Sequence, residues 1–137
     1  MNIFDKNLDL YQRAMDFRVQ RHELISSNLA NRETPGYLAK DVVFERELQQ
    51  AYQSEVPGDL KTSDPLHYDG SVRVPIGDVR GQVINSFNPD PRKDGNTVDL
   101  DKENTKMAEN TLMFSALSQM ASHKLMQLKT VISEGGN

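Results

Sequence analysis

A seven-residue repeat of apolar positions runs through both ends of this chain and constrains its fold more than any other feature. Near the N-terminus the repeat steps by four and three residues from Phe4 to Leu29, with Arg18 and His22 as its polar members. Such a repeat is typical of helices that pack along a seam. Its apolar members at the two ends are Phe4, Leu8, Tyr11, Met15, Ile25, Leu29, Leu100, Met107, Phe114, Leu117, Ala121, Leu125, Leu128 and Ile132.

A second line of side chains widens the apolar sector of the N-terminal helix. It consists of Leu10, Ala14, Phe17, Arg21 and Leu24. We expect Leu10, Phe17 and Leu24, together with Met113 and Met120 of the C-terminal helix, to stay partly exposed until neighbouring subunits cover them.

A strong stop signal separates the first helix from the rest of the chain. Asn28 and Asn31 suit a helix C-terminus because asparagine tolerates the left-handed conformation that ends many helices. Thr34 precedes a proline and is pushed towards extended geometry. Pro35 and Gly36 fit the central positions of a type II turn, in which glycine supplies the positive φ. The turn allows the ring of Tyr37 to fold back onto the helix end.

The middle of the chain is rich in turns. Apolar residues at helical spacing, Phe44, Leu48, Ala51 and Tyr52, predict a short helix over 41–54. All six prolines fall between residues 35 and 91, so 57–97 is dominated by turns. Alternation of Val72, Val74 and Ile76 predicts a short strand, and Val83-Ile84 a second one.

The second long helix has its own boundary signals. Asp94-Gly95-Asn96 is a strong turn, and Asp99 or Asp101 can cap the helix that follows. Glu103 adds favourable charge to its first turn. We expect the helix to reach about Ser133 and to stop at Gly135-Gly136.

Composition and charge exclude several classes of protein. The net charge is −4, without the basic patch that a nucleic-acid-binding protein needs. It resides entirely in residues 32–99, which hold eight basic and twelve acidic side chains (8 − 12 = −4). There are no cysteines, which excludes disulfides and thiolate sites. No basic segment followed by an apolar one resembles a cleaved signal, so we expect none.

No catalytic, cofactor-binding or metal-binding constellation emerges. The three histidines, His22, His67 and His123, belong to no His-x-x-x-His or His-x-x-Glu pair. The acidic residues around Asp90 do not meet the spacing of a calcium loop. A cell-wall hydrolase acting through Glu45, Glu47 or this acidic cluster is the enzymatic alternative, but no two carboxylates are placed together in an apolar cleft, and we expect the protein not to be an enzyme.

Two motifs carry a resemblance to a known family. Ser27-Asn28-Leu29-Ala30-Asn31 followed by Thr34-Pro35-Gly36-Tyr37, at the end of an N-terminal helix, resembles the signature of the bacterial flagellar axial proteins of rod and hook. The run from Asp94 to Glu103, then Glu109-Asn110 and Leu128-Lys129-Thr130-Val131-Ile132, is similar to a basal-body rod protein of the proximal end. Both ends of the chain carry the resemblance, whereas 55–92 is not diagnostic.

The resemblance implies a mainly α fold in which the two terminal helices pair as an antiparallel coiled coil. Residues 1–36 and 98–137 would form the inner layer of a hollow rod, and 37–97 an irregular segment that faces outward and contains a short helix and small β elements. The turn motif would comprise Asn28, Leu29, Ala30, Asn31, Thr34, Pro35, Gly36 and Tyr37.

The resemblance also implies a function in cell motility: a structural subunit of the rod, which transmits torque and passes exported subunits. Its expected partners are copies of itself, rod proteins of the FlgC, FlgF and FlgG types, the adaptor FliE, the MS ring and the export gate, without nucleic acid or a small-molecule substrate. Such subunits reach the periplasm through the flagellar type III apparatus. The alternatives are a soluble coiled-coil regulator or export chaperone, or another proximal-rod protein such as FlgC.

Overall fold

The computed structural model describes residues 6–55, 74–86, 88 and 91–134, with the side chains of Ser54 and Glu55 excepted. In these ranges the chain forms three α-helices, two β-strands and one 3-10 helix. In chain order they are α1 (Lys6–Ala30), β1 (Lys40–Val43), α2 (Glu45–Glu55), the 3-10 helix (Ile76–Asp78), β2 (Gln82–Asn85) and α3 (Leu100–Glu134).

The two long helices lie side by side and antiparallel. Asn28, near the end of α1, contacts Glu103, near the start of α3. Further along, Asn110 of α3 contacts the backbone of Arg18. Position numbers rise on one helix as they fall on the other, which confirms the predicted antiparallel pair. No helix in the described ranges is both long enough and apolar enough to cross a membrane.

The predicted secondary structure of the middle segment is correct in part. The short helix begins at Glu45 and not at residue 41, because 40–43 form β1. This strand pairs antiparallel with β2, Val42 opposite Val83, so the strand expected at Val83-Ile84 is confirmed. The strand expected around Ile76 is wrong, since Ile76 opens the 3-10 helix. Val72 of that strand lies outside the described residues.

The core is built between α1 and the middle segment. Phe17 of α1 stacks on Phe44, which precedes α2, with ring centroids 4.6 Å apart and planes at 17°. Val42 of β1 and Val79, just past the 3-10 helix, complete the same buried cluster. Gly81 passes so close that a Cβ there would lie 2.7 Å from Val42 Cγ2. The middle segment therefore covers one face of α1 within a single chain.

This packing overturns one expectation about exposed side chains. Phe17 is only 3% exposed, so no neighbouring subunit is needed to cover it. The expectation was wrong for Phe17 because the second apolar line of α1 meets the middle segment of its own chain. Leu10 and Leu24 pack against the same cluster but are only half-buried, so they remain partly exposed as expected. Met113 and Met120 are 51% and 52% exposed, as expected.

Candidate assembly site

The side chain of Asn28 is the centre of a buried polar cluster where α1, β1 and α3 meet. Its amide nitrogen donates to the carbonyl oxygen of Lys40 and to Oε2 of Glu103, both at 2.8 Å. Its amide oxygen accepts from the Lys40 N–H at 2.9 Å and from the Tyr37 hydroxyl at 3.3 Å. Asn28 is fully buried and uses both donors and both acceptor positions of its amide.

This role differs from the one predicted for Asn28 and Asn31. Neither residue is left-handed: within the described residues, only Gly36 and Gly95 have positive φ. Asn28 lies within α1, and its side-chain amide donates to the Lys40 carbonyl and accepts from the Lys40 N–H at the start of β1. Asn31 donates from its side-chain amide to the Ser27 carbonyl one turn earlier. The left-handed conformation was a wrong prediction for both residues: Asn28 is suited to its place by long-range hydrogen bonds, and Asn31 by local side-chain hydrogen bonds.

A second buried amide, that of Asn96, closes the end of α1. Its nitrogen lies within hydrogen-bonding distance of the carbonyl oxygens of Asn31, Arg32 and Thr34, at 3.0, 3.2 and 2.7 Å. Its oxygen accepts from the Val98 N–H at 2.8 Å. These carbonyl groups belong to the turn that follows α1, so Asn96 holds that turn from the segment that leads into α3.

The predicted turn at Pro35-Gly36 is confirmed. Gly36 has φ +69°, and the Tyr37 N–H donates to the Thr34 carbonyl at 3.3 Å, as in a type II turn. The Gly36 N–H donates to the Asp94 carbonyl at 2.9 Å, and the Tyr37 carbonyl accepts from Thr97 at 3.0 Å. The turn is thus hydrogen-bonded to the segment before α3. The expected return of Tyr37 to the helix end also holds, since its hydroxyl lies 3.2 Å from Ser27 Oγ.

We call this arrangement the polar joint, and we define it by the side chains of Asn28, Tyr37, Asn96 and Glu103. Asp99 stands beside it and caps α3: its Oδ1 accepts from the N–H groups of Asp101 and Lys102 at 3.1 and 3.2 Å. These hydrogen bonds, the one from Lys102 first, lower the pKa of Asp99.

A row of alternating charges extends from the polar joint to α2. Lys106 lies 3.1 Å from both Glu103 and Asp41, and Arg21 lies 3.2 Å from Asp41 and 2.7 Å from Glu45. Burial alone would lower the pKa of Lys106, but its hydrogen bonds to the two carboxylates outweigh burial and raise it. Lys106 is therefore held as an ammonium ion that links α3 to β1.

The side chain of Glu45 ends this row and is not poised for acid catalysis. Burial raises the pKa of Glu45, but hydrogen bonds from the Arg21 guanidinium and from the backbone lower it by more. The pKa of Glu45 therefore lies below its usual value. A general acid needs the opposite shift. Glu47 lies two residues further along α2, and Arg46 contacts it at 3.4 Å on the protein surface.

The predicted seam residues differ in how far they are covered. Ile25 and Ala121 are buried, and a further set is half-buried. Leu100, Phe114, Leu125 and Ile132 are exposed, and Phe4 lies outside the described residues. The half-buried set is Leu8, Tyr11, Met15, Leu29, Met107, Leu117 and Leu128.

Polar residues of the seam were missed by the sequence reasoning. Glu103 and Asn110 are 2% and 3% exposed, one heptad apart on α3. Asn110 donates to the Arg18 carbonyl at 2.7 Å. A signal existed, because Asn28 extends the second apolar line of α1 by one step of four from Leu24, and polar residues within a seam commonly fix its register.

The remainder of α3 leaves large apolar side chains uncovered. Eight of them are between 39% and 71% exposed. Such a concentration on one element marks an interaction surface more often than a free one. They are Leu112, Met113, Phe114, Met120, Leu125, Met126, Val131 and Ile132.

Comparison with known proteins gives consistent relatives over almost the whole chain. The chain is 34% identical to the flagellar basal body rod protein FlgB of Salmonella typhimurium over 139 aligned residues, which cover 97% of this chain and 96% of that protein. Identity is 34% to FlgB of Yersinia enterocolitica, with 96% of each chain covered, and 29% to FlgB of Borreliella burgdorferi, with 96% and 99% covered. No family model matches the chain. These relatives favour a rod protein over a soluble regulator or export chaperone.

Proposed function

Because the chain belongs to the family of the flagellar basal body rod protein FlgB, we propose that the exposed apolar side chains of α3 become buried between subunits of the rod. The protein is a structural component of that rod and assembles with other rod and basal-body proteins. In our proposal, residues 1–36 and 98–137 form the inner layer of the rod, and 37–97 faces outward.

The observation that carries the proposal is the unequal covering of α3. Within the described residues α3 has 35 residues against 25 in α1, a difference of about ten residues or roughly 15 Å. The exposed apolar side chains reach from Leu112 to Ile132 and lack a covering element within the described residues. Burial of apolar area stabilises an association by about 25 cal/mol per Å². Neighbouring subunits supply that burial.

The proposed partners are other copies of the chain, rod proteins of the FlgC, FlgF and FlgG types, the adaptor FliE, the MS ring and the export gate. We propose that the chain reaches the rod through the flagellar type III system without a cleaved signal. The polar joint keeps the middle segment in one orientation in every copy, because it ties β1 and the segment before α3 to the end of α1.

We further propose that the protein is not an enzyme and that its function is mechanical. Glu45, a candidate catalytic carboxylate, is tied to Arg21 with a lowered pKa. Asp90, in the other candidate cluster, lies outside the described residues. A lytic band from the purified protein in a peptidoglycan zymogram would contradict this part of the proposal.

The assembly surface can be tested with Met120→Gln combined with Ile132→Gln. Both side chains are more than half exposed, so the isolated chain should keep its helical circular dichroism spectrum and its melting temperature. We expect motility to be lost and the protein to disappear from detergent-washed basal bodies. Ser122→Gln, an exposed position on the same helix, serves as the matched control and should assemble normally. Normal rod incorporation of the double variant would refute the proposed surface.

A further inference from the structure

The small sheet has two outer edges, and the chain covers one of them with side chains. On the outer edge of β1, the Asn28 amide donates to the Lys40 carbonyl at 2.8 Å and accepts from the Lys40 N–H at 2.9 Å. The Arg21 guanidinium donates to the Val42 carbonyl, and the Val42 N–H donates to Oδ1 of Asp41 at 2.8 Å. The outward backbone groups of β1, at positions 40 and 42, therefore all have partners within the chain.

The outer edge of β2 has no such cover within the described residues. The Ser86 N–H donates to the Ala39 carbonyl at 2.7 Å, so the alternation of an antiparallel pair turns the backbone of Ile84 towards β1 as well. Val83 and Asn85 turn their backbone groups the other way, and no described residue hydrogen-bonds to them. All four residues of β2 are exposed, Val83 by 47% and Ile84 by 39%. Such an open edge is a template for another strand.

β2 also lacks most of the features that keep natural edge strands from pairing. Such strands commonly carry charged side chains, a proline or a β-bulge, or are very short. Residues 81–88 contain neither a charged residue nor a proline, and the pairing of β1 with β2 runs through four residues without a bulge. Only shortness applies, because β2 has four residues. A strand that pairs with this edge is therefore bound weakly but is not excluded.

A second copy of the chain offers, in its described residues, one strand whose edge is open, and that strand is β2 itself. β1 is excluded because Asn28 and Arg21 occupy its outer edge. Two β2 strands fit antiparallel about a two-fold axis at Ile84, so that Val83 of each copy exchanges two backbone hydrogen bonds with Asn85 of the other. Ile84 then stands opposite its own copy, and the two apolar side chains are in contact. β2 holds no charge, so no like charges oppose each other.

We propose that the free chain forms a dimer in which β2 pairs antiparallel with β2 of a second copy and joins the two small sheets into one of four strands. Three or more strands are what a sheet needs for stability of its own, which a two-stranded ribbon lacks. A two-fold contact uses the same surface on both chains and stops at two. The pairing therefore concerns the chain outside the rod. It does not rest on the proposed function, since β2 and the exposed part of α3 are separate surfaces.

The chain has no cysteine, so a single introduced cysteine reports this contact. Opposed residues of a non-hydrogen-bonded antiparallel pair have Cα atoms about 4.5 Å apart, within the range of about 4.4–6.8 Å that a disulfide spans. Ile84→Cys in the purified chain should therefore give a covalent dimer on mild oxidation. Val74→Cys is the matched control, because Val74 is also 39% exposed but lies outside the sheet. Its dimer should form at least about tenfold more slowly, since two such thiols meet only by diffusion.

A proline tests the hydrogen bonds of the contact. Val83→Pro removes an outward N–H and leaves the bonds to β1, because an edge strand accepts proline where its nitrogen faces solvent. It should weaken self-association at least about tenfold in sedimentation equilibrium, whereas Val83→Thr, which keeps the N–H, should change it less than about twofold. All chains in this measurement carry Met120→Gln and Ile132→Gln, so that α3 does not contribute. Asn85→Pro removes the other outward N–H and replaces Val83→Pro if the circular dichroism of that variant shows a loss of fold.

Several outcomes would overturn the pairing. Ile84→Cys and Val74→Cys could crosslink equally fast, or the proline and threonine variants at position 83 could associate equally well. A chain that stays monomeric up to about 1 mM would also refute the dimer, because even a small interface should have a Kd below that value. A crosslink from position 84 to a different protein in isolated basal bodies, without a dimer of the purified chain, would assign this edge to an extended segment of that protein instead.

Discussion

Residues 100–110 of α3 bury polar side chains, whereas residues 111–134 leave large apolar side chains exposed. The first part encloses Glu103 and Asn110 almost completely, whereas the second exposes eight large apolar side chains and buries only Ala121. Hydrogen bonds depend on direction and distance, so their partners must come from a structure that is already fixed. Apolar burial has no such direction and can be completed by a neighbour. Contacts within the chain fix the first part of α3, and in our proposal contacts between subunits complete the second part.

The most disruptive way to break this comparison is Asn28→Leu in the polar joint. The substitution removes four hydrogen bonds and leaves the Glu103 carboxylate and the Lys40 backbone without that partner. We expect a loss of about 3 kcal/mol in the free energy of unfolding, measured by urea denaturation. Asn31→Leu is the control: its side-chain amide bonds mainly within its own helix, so a loss of about 0.5 kcal/mol is expected. Equal losses in the free energy of unfolding for the two variants would mean that Asn28 stabilises only its own helix and not the contact with β1 and α3.

The core beside the joint gives the next largest effect. Gly81→Ala places a Cβ 2.7 Å from Val42 Cγ2 and 2.9 Å from a ring carbon of Phe17, both in the buried cluster. We expect a loss of about 2 kcal/mol in the free energy of unfolding, from overpacking. Gly77→Ala should be nearly neutral, because nothing lies within 4 Å of its added methyl group. An unchanged free energy of unfolding for Gly81→Ala would show that the middle segment shifts away from α1 to make room for the added methyl group.

The charge row predicts a smaller effect that depends on pH. The folded-state pKa of Glu45 lies below its ordinary 4.5, so the ionised carboxylate stabilises the fold above that value, and this contribution disappears as pH falls through the folded pKa. Half of the side chain is exposed, so solvent screening keeps the effect below about 1 kcal/mol. Glu45→Gln should lower the melting temperature at pH 7 and leave it unchanged at pH 2. The same difference at both pH values would rule out the ion pair as its cause.

The exposed part of α3 should show the smallest effect on the isolated chain. Leu112→Gln and Ile132→Gln replace side chains that are 69% and 71% exposed. Each should change the free energy of unfolding of the dilute chain by less than about 0.5 kcal/mol. A loss above about 1 kcal/mol would show that these side chains are already buried before assembly, and the contrast within α3 would fail.

The sequence predicted the elements whose signals are local. The heptad repeat gave both long helices, and Pro35-Gly36 gave its turn, because periodicity and fixed φ angles act within a few residues. β1 was missed because the helix predicted from Phe44, Leu48 and Ala51 was begun at residue 41, within the range that forms β1. The β-branched pair Val42-Val43 was the available signal for a strand.

The polar joint could not be predicted, since its parts are distant in the chain. Asn28 and Glu103 are 75 positions apart, and Asn96 reaches Thr34 across 62. A heptad repeat predicts on which face of a helix a side chain lies, but it does not predict which distant residue that side chain contacts. The position of the motif around Asn28 was therefore predicted correctly, whereas the role of its asparagines was not.

One consequence of the paired turns concerns the attachment of the middle segment. A Cβ on Gly95 would lie 3.6 Å from the Gly36 backbone, so the chain departs from the long helices and returns to them at one point. Both ends of the middle segment are held there, because the Gly36 N–H donates to the Asp94 carbonyl and the Thr97 N–H donates to the Tyr37 carbonyl. The position at which the middle segment joins the long helices is therefore fixed by these two turns.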